Sequence, residues 1–282
     1  MRQASGERIT MKFMHIACAT AILSAVCLGL SAPASARAQT AFVAERPTPR
    51  VDYWQKRSDD ITRTLRSTKS LKDVRLLFVG DSITDFWHLD ANPWFKGKWC
   101  GRQVWDESFS GRLPEHKALN LGVSGDRIEH VLHRILPKAK GGSGWLDRQD
   151  LQPDTVFLLL GINNSFDAED PAVESIFSGV RATIAAIRAR KPKARIVVQS
   201  LLPTDDPGKN AALVQPINAR LRALVSDAGP KARMEFLDLY PSFVDAAGLQ
   251  RKSLFNDSLH PSLEGYAVWR DRLIAFLAGR SA

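Results

Sequence analysis

Five short apolar runs, separated by segments with a helical repeat, most restrict the folds open to this chain. Between the third and fourth runs, for example, Val173, Ile176, Val180, Ile184 and Ile187 recur at helical spacing. Strands that are apolar throughout and alternate with helices are typical of a parallel sheet covered on both faces. The pattern predicts one three-layer α/β/α sandwich around a parallel sheet of about five strands. The predicted strands are residues 75–79, 118–123, 155–160, 196–200 and 234–239.

The N-terminal residues have the pattern of an export signal. Basic residues up to Lys12 precede an apolar stretch over 16–30, and small residues follow it up to Ala38. The apolar stretch is short for a membrane span, and the small-x-small pattern suits signal peptidase. We therefore predict a signal peptide over residues 1–38, cleaved after Ala36 or Ala38, and a periplasmic or secreted protein. An uncleaved anchor is the alternative.

Cleavage would remove Cys18 and Cys27 and leave Cys100 alone, so no internal disulfide is expected. Residues 39–50 contain two prolines and no apolar repeat, and we interpret them as a flexible lead-in. Residues 51–282 are long enough for a core without cross-links, and we predict that they form a single domain.

The net charge of +9 is scattered along the chain and forms no basic stripe. Without such a stripe or a nucleic-acid-binding motif, we expect no nucleic-acid partner. We expect no stable membrane insertion once the signal is removed. The oligomeric state is left open.

Polar motifs follow the first three predicted strands. Ser82 ends a Gly-Asp-Ser motif after the first, Gly125 follows the second, and Asn163 follows the third. Ligands of open parallel sheets bind beyond the carboxyl ends of the strands. The three motifs are therefore predicted to converge on one edge of the sheet.

A fourth motif near the C-terminus supplies a base. Asp257 lies three residues before His260, close enough to orient its imidazole, and His260 could take a proton from Ser82. We predict that Ser82, His260 and Asp257 are a catalytic nucleophile, base and orienting carboxylate. The alternatives are a Ser82 that only caps a helix and an Asp-x-x-His-Pro motif that only opens one.

Acyl transfer also needs donors for the negative charge that develops on the carbonyl oxygen. Gly125 lets its N–H approach a substrate, and Asn163 offers an uncharged amide N–H. With the backbone at Ser82, these residues are the predicted oxyanion hole. Gly125 as a plain turn residue and Asn163 as a plain strand-end cap are the alternatives.

These motifs resemble those of the SGNH, or GDSL, hydrolase family. Ser82, Gly125, Asn163 and His260 match its four lettered positions, and residues 119–122, 126–132, 161–164 and 201–203 resemble its platelet-activating-factor acetylhydrolase Ib catalytic branch. The resemblance covers roughly residues 71 to 280. It implies a flavodoxin-like fold, no metal or organic cofactor, and hydrolysis of short acyl esters, often acetyl. Asn164 replaces the commonest aspartate of the third motif, as in that branch.

Two further features bear on cofactor and substrate. His130 and His133 are spaced for one helix face but have no carboxylate or cysteine at ligand spacing, so we expect no metal. Trp94, Trp99 and Trp105 lie in the segment between the first and second strands and would stack on sugar rings if exposed, or fill the core if buried.

We therefore predict an exported serine esterase for short-chain, in particular acetyl, esters. The expected partner is a small-molecule, glycan or lipid ester substrate. A carbohydrate O-acyltransferase with the same triad and a lysophospholipase-like lipid esterase are the alternative enzymes. A glycan- or lipid-binding protein without catalysis is the alternative from another class.

Overall fold

The computed structural model describes residues 41–50, 55–167 and 169–279. The predicted signal peptide, residues 1–38, lies outside the described residues. Among those described, no helix combines the length and hydropathy needed to cross a bilayer.

The described residues form one sheet of five parallel strands, in the order β2-β1-β3-β4-β5. Their bounds are β1 Leu76–Gly80, β2 Ala118–Asn120, β3 Thr155–Leu159, β4 Arg195–Gln199 and β5 Met234–Leu237. All five predicted strands are present, although β2 ends at Asn120 and β5 at Leu237, earlier than predicted. β1 and β3 are buried at every position, as strands covered on both faces must be.

Helices cover both faces of this sheet and confirm the predicted sandwich. One layer contains α4, α5 and α7, which contact one another in that order, and α3 packs on α8 in the other layer. The helices are α1 Gln55–Ser67, α2 Ser82–Asp85, α3 Arg102–Ser108, α4 Ile128–Ile135, α5 Ala172–Arg190, α6 Pro207–Lys209, α7 Gln215–Ala228 and α8 Leu263–Ala278.

An aromatic cluster fills the space between β1 and the α3–α8 layer. The Phe78 ring of β1 lies 5.2 Å from Trp105 and 5.4 Å from Phe109, and Trp87 lies 5.0 Å from Trp269 of α8. Such tilted contacts suit the quadrupoles of aromatic rings. Trp105 therefore belongs to the core and is not available to a substrate.

The expected flexible lead-in is instead packed on the domain from residue 41 onward. Val43–Glu45 forms a 3₁₀ helix against α4 and α5, and Ala44 within it is buried. A side chain at Gly179 of α5 would approach the Ala44 side chain to 2.8 Å, so two small residues permit this contact. Thr48 N–H also donates to the Glu129 carbonyl at 3.0 Å. The prolines of this segment do not indicate that it packs against α4 and α5.

Candidate active site

The Gly-Asp-Ser motif forms a tight turn between β1 and α2. Gly80 has no room for a side chain, since a Cβ would lie 2.1 Å from Thr84 Oγ1 and 2.4 Å from the Leu159 carbonyl oxygen. Asp81 caps α2 by accepting the Ile83 N–H at 3.0 Å. Ser82 therefore begins the helix at the carboxyl edge of the sheet, where its side chain faces the C-terminal loop.

Ser82, His260 and Asp257 are joined by a continuous chain of hydrogen bonds. The His260 Nε2 lies 2.9 Å from Ser82 Oγ, and His260 Nδ1 lies 2.9 Å from Asp257 Oδ2. Asp257 Oδ1 accepts the N–H groups of Leu259 at 2.8 Å and of His260 at 2.7 Å. The three-residue spacing thus places one carboxylate against both the backbone and the ring of the same histidine. A hydroxyl in this position can pass its proton to the imidazole.

The pKa of Asp257 is set by two opposing effects. Partial burial raises the pKa, but the hydrogen bonds and charge of His260 and the N–H groups of His260 and Leu259 outweigh it, and the net pKa is lowered. Asp257 is therefore ionised near neutral pH and can hold an Nδ1–H tautomer of His260, which leaves Nε2 free to accept a proton.

Two aromatic rings support the His260 imidazole. Phe86, one turn after Ser82, stacks on His260 with ring centroids 4.8 Å apart and 22° between planes. Trp94 lies 5.8 Å from His260 and 5.4 Å from Phe86. Phe86 was not predicted as a site residue, although its position four residues after Ser82, at the end of a helical turn, was a usable signal.

Gly125 and Asn163 lie beyond the ends of β2 and β3, the two neighbours of β1. Gly125 has a φ of +72°, a conformation that favours glycine. The Asn163 Nδ2 donates to the Asp126 carbonyl at 2.8 Å, which fixes the amide beside the Gly125 loop. Only one of the two Nδ2–H groups is needed for this bond. The structure thus brings the second and third motifs together next to the first.

Asp126 is the centre of a buried charge network behind Gly125. Its carboxylate is 1% exposed and accepts Arg134 Nε at 2.6 Å and Nη2 at 2.9 Å. Arg50 Nη1 donates to the same carboxylate at 3.1 Å and to the Ser124 carbonyl at 2.6 Å. The Arg50 guanidinium also lies close to Gly125: a Cβ added to Gly125 would be 2.8 Å from Arg50 Nη2. The roles of Arg50, Asp126 and Arg134 were not predicted.

A second buried network attaches the same loop to α2. Asp85 Oδ2 accepts both the N–H and the hydroxyl of Ser124, at 3.1 and 2.8 Å, and Asp85 Oδ1 pairs with Arg57 Nε at 2.7 Å. Burial raises the pKa of Asp85, and Arg57 and Ser124 oppose this shift. Ser124 is consequently attached to α2, the helix that Ser82 begins.

Asp81 differs from the other buried carboxylates near Ser82. It is fully buried, which raises its pKa to about 7, and the Ile83 N–H and His260 only partly oppose this. Its Oδ2 has no hydrogen-bond partner among the described residues. Asp81 therefore braces the turn through one oxygen only.

In the described part of the chain, His130 and His133 of α4 are not joined by other metal-ligating side chains. His130 Nδ1 accepts the Arg127 N–H at 3.0 Å, so this ring nitrogen is already used. Within residues 41–50, 55–167 and 169–279, no group of three or more His, Cys, Asp or Glu side chains is placed to hold a metal ion.

Comparison with known proteins decides the family. The family model of the GDSL-like lipase/acylhydrolases matches residues 78–268, which include every motif residue described above. The chain is a member of this family. It is accordingly a carboxylic ester hydrolase of the GDSL type, which confirms the resemblance drawn from the four motifs.

Relatives and solved structures agree with this assignment. The chain is 32% identical over 197 residues to platelet-activating factor acetylhydrolase IB subunit alpha1 of Pongo abelii, covering 70% of this chain and 72% of the relative. It is 30% identical over 197 residues to subunit alpha2 of Rattus norvegicus, with the same coverage. A GDSL-like lipase from Bacteroides thetaiotaomicron has a TM-score of 0.56 at 16% identity, covering 81% of this chain and 98% of that one. A family two carbohydrate esterase from Clostridium thermocellum has a TM-score of 0.54 at 16% identity, covering 73% and 63%. These two structures show the shared fold.

Proposed function

We propose that this protein is an exported serine esterase that hydrolyses short-chain esters, acetyl esters first, with Ser82 as its nucleophile. The observation that carries the proposal is the hydrogen-bond chain from Ser82 Oγ through His260 to Asp257, with 2.9 Å at each side-chain step. A serine hydroxyl is a weak nucleophile until an adjacent base takes its proton, and this arrangement supplies that base.

In the acylation step, His260 Nε2 removes the Ser82 proton while Oγ attacks the ester carbonyl carbon. The carbonyl oxygen becomes negatively charged and accepts hydrogen bonds from the Ser82 and Gly125 N–H groups and from the Asn163 amide. When the tetrahedral intermediate collapses, the alcohol leaves with the proton that His260 holds. Asp257 stabilises the imidazolium throughout and remains ionised.

In the deacylation step, water replaces the alcohol. His260 removes a proton from the water molecule while the water oxygen attacks the carbonyl carbon of the acyl-enzyme. When the acid is released, His260 returns this proton to Ser82 Oγ. The same groups therefore serve both half-reactions, and the kinetics are expected to be of the ping-pong type.

Two observations support a small acyl group. Ser82 is only 3% exposed, so little of the nucleophile is accessible to a bulky acyl group. The mammalian relatives are named acetylhydrolases, which favours an acetyl ester for this chain as well. Export is supported by the signal-like residues 1–38 and is tested by N-terminal sequencing of the protein recovered from the cell envelope and the medium.

The proposal is tested with 4-nitrophenyl esters from acetate to octanoate. We expect the wild-type protein to prefer acetate, and Ser82→Ala to lose turnover to near background while keeping its melting temperature. Ser110→Ala, which removes an exposed hydroxyl bonded to the Asp106 carbonyl, is the matched control and should stay fully active.

A fluorophosphonate probe separates catalysis from simple binding. An activated Ser82 should be labelled stoichiometrically, and Ser82→Ala should not be labelled. If folded wild-type protein neither turns over the esters nor reacts with the probe, the catalytic proposal fails and a binding protein becomes the better explanation.

A further inference from the structure

An exposed aromatic loop lies between α2 and α3. All seven residues from 93 to 99 are exposed, and Trp94, Phe95 and Trp99 expose 49%, 44% and 58% of their surface. Three of the seven large hydrophobic side chains exposed in the described part of the chain thus belong to this one loop. A concentration of this kind marks a surface that contacts a partner.

The loop is a built element whose backbone has fixed partners. Ala91 and Trp99 form an antiparallel bridge at its base. Asn92 is buried and its Oδ1 accepts the N–H groups of Trp94 at 2.9 Å and of Phe95 at 3.1 Å. The partly exposed aromatic side chains are therefore carried by an ordered backbone.

The loop borders the candidate active site. Trp94 contacts the rings of Phe86 and His260, at 5.4 and 5.8 Å. On the other side of the loop, the Trp99 carbonyl accepts a hydrogen bond from Asn256 Nδ2 at 2.9 Å. Asn256 immediately precedes Asp257 in the chain. Whatever surface this loop contacts is brought next to the catalytic histidine.

The charges of the loop indicate the chemistry of its partner. Lys96 and Lys98 are exposed on either side of Gly97. Gly97 has a φ of +76°, and a Cβ added to it would have no other atom within 4 Å. The tip therefore projects into open space with a positive charge on each side. Residues 93–99 contain no carboxylate or amide side chain.

We propose that residues 93–99 form a lipid-contacting loop, which docks the mouth of the active site on an anionic lipid–water interface. Trp and Phe side chains partition into the interfacial region of a bilayer, and lysines pair with anionic headgroups while their alkyl stems stay in the apolar layer. Beside Trp99, Asp90 and Gln103 supply side chains of the kind that hydrogen bond sugar hydroxyls, but the tip of the loop, residues 94–98, offers only lysines. Together with the proposed esterase activity, on which this step rests, a docking loop implies that the substrate is a lipid ester presented at an interface.

Vesicle binding tests the loop without relying on catalysis. Purified protein is sedimented with vesicles of phosphatidylcholine alone and of an equal mixture with phosphatidylglycerol, and brominated lipids are used to quench tryptophan fluorescence. We expect binding to the anionic vesicles, with quenching, and weaker binding at high salt because salt screens the lysine contribution. Ser82→Ala, which is expected to be inactive, should bind like wild type, so failure of catalysis and failure of docking are distinguished.

Substitutions locate the docking surface. Lys96→Gln with Lys98→Gln should lower partitioning onto anionic vesicles about 25-fold, or about 5-fold per lysine. Phe95→Ala should weaken binding and reduce fluorescence quenching. The matched control is Lys69→Gln with Lys72→Gln, two exposed lysines that precede β1 and lie at the opposite edge of the sheet, and it should stay within twofold of wild type.

Three results would overturn the proposal. The first is no binding to anionic vesicles, and the second is binding that the loop substitutions leave unchanged. The third is saturable quenching of tryptophan fluorescence by acetylated xylo-oligosaccharides, lost in Trp99→Ala, when vesicles have no effect. This last result would make the loop a glycan platform.

Discussion

Replacement of Asp257 by asparagine tests the proposed mechanism most directly, because the two side chains have the same shape and differ in their hydrogen-bonding groups. The carboxylate accepts three bonds: Oδ1 takes the N–H groups of Leu259 and His260, and Oδ2 takes His260 Nδ1. An amide has one acceptor oxygen, so it cannot serve both sides.

The structure decides which orientation the amide adopts. With its oxygen toward the backbone, the introduced asparagine keeps two bonds and points its NH₂ at Nδ1 of His260. With its oxygen toward Nδ1, it turns the NH₂ against two N–H groups and leaves two donors unsatisfied, at about 1–3 kcal/mol each. The first orientation therefore wins. Its NH₂ donates to Nδ1 and places the histidine proton on Nε2, where His260 cannot accept a proton from Ser82.

We expect kcat of Asp257→Asn to fall about 10⁴-fold, the size of the effect when the same substitution forces the wrong tautomer in a serine protease triad. KM for 4-nitrophenyl acetate should change little, because no group that binds the substrate is removed. Steady-state kinetics of both proteins measure this, with thermal unfolding to show that the variant is folded.

Asp245→Asn is the matched control. Asp245 Oδ1 also accepts two backbone N–H groups, from Ala247 at 2.9 Å and Leu249 at 3.0 Å, but among the described residues its side chain has no histidine partner. It should keep wild-type kcat. A folded Asp257→Asn variant that retains more than about a tenth of wild-type kcat would refute the tautomer argument.

Three further substitutions test other parts of the site. Asn163→Ala should lower kcat about 10²–10³-fold, and unchanged turnover would remove this amide from the oxyanion hole. Gly125→Ala places a Cβ on a residue with a φ of +72°, and urea unfolding should show that the free energy of unfolding falls by about 1–2 kcal/mol from this backbone strain alone. The Cβ would also lie 2.8 Å from Arg50 Nη2, so Arg50→Ala should restore part of any further loss. Asp81 has a pKa raised to about 7, so the folded state holds a proton that the unfolded chain loses from about pH 4 upward. Wild-type stability should therefore fall relative to Asp81→Asn between about pH 4 and pH 7, by up to about 4 kcal/mol, and parallel unfolding curves across that range would contradict the shift.

The sheet and the motif residues could be predicted because their signals are local. Each strand is a short apolar run, and the parallel topology places the residues after those runs at one edge. Asp257 and His260 are only three residues apart, so their contact needs no knowledge of the fold. Ser82 and His260 are 178 residues apart, and their pairing was predicted from chemical complementarity and the family resemblance.

The supporting networks could not be predicted in the same way. Arg50 and Asp126 are 76 residues apart, and nothing in the prolines around Arg50 indicates that this segment packs on the domain. Trp94 and Trp105 lie in one aromatic segment, yet Trp94 is half exposed and Trp105 is buried against Phe78. Only the path of the chain, which is set by tertiary contacts, separates them.

These unpredicted contacts explain how the Gly125 N–H could act as an oxyanion donor. Ser124, just before Gly125, is fixed to α2 through Asp85, and Asp126, just after it, is fixed through Arg50 and Arg134. A donor contributes most when it is already in place as the negative charge develops, because no free energy is then spent on its reorganisation. In the proposed mechanism, buried ion pairs that never touch the substrate would therefore help to set the rate, since they hold both ends of the loop that carries the donor.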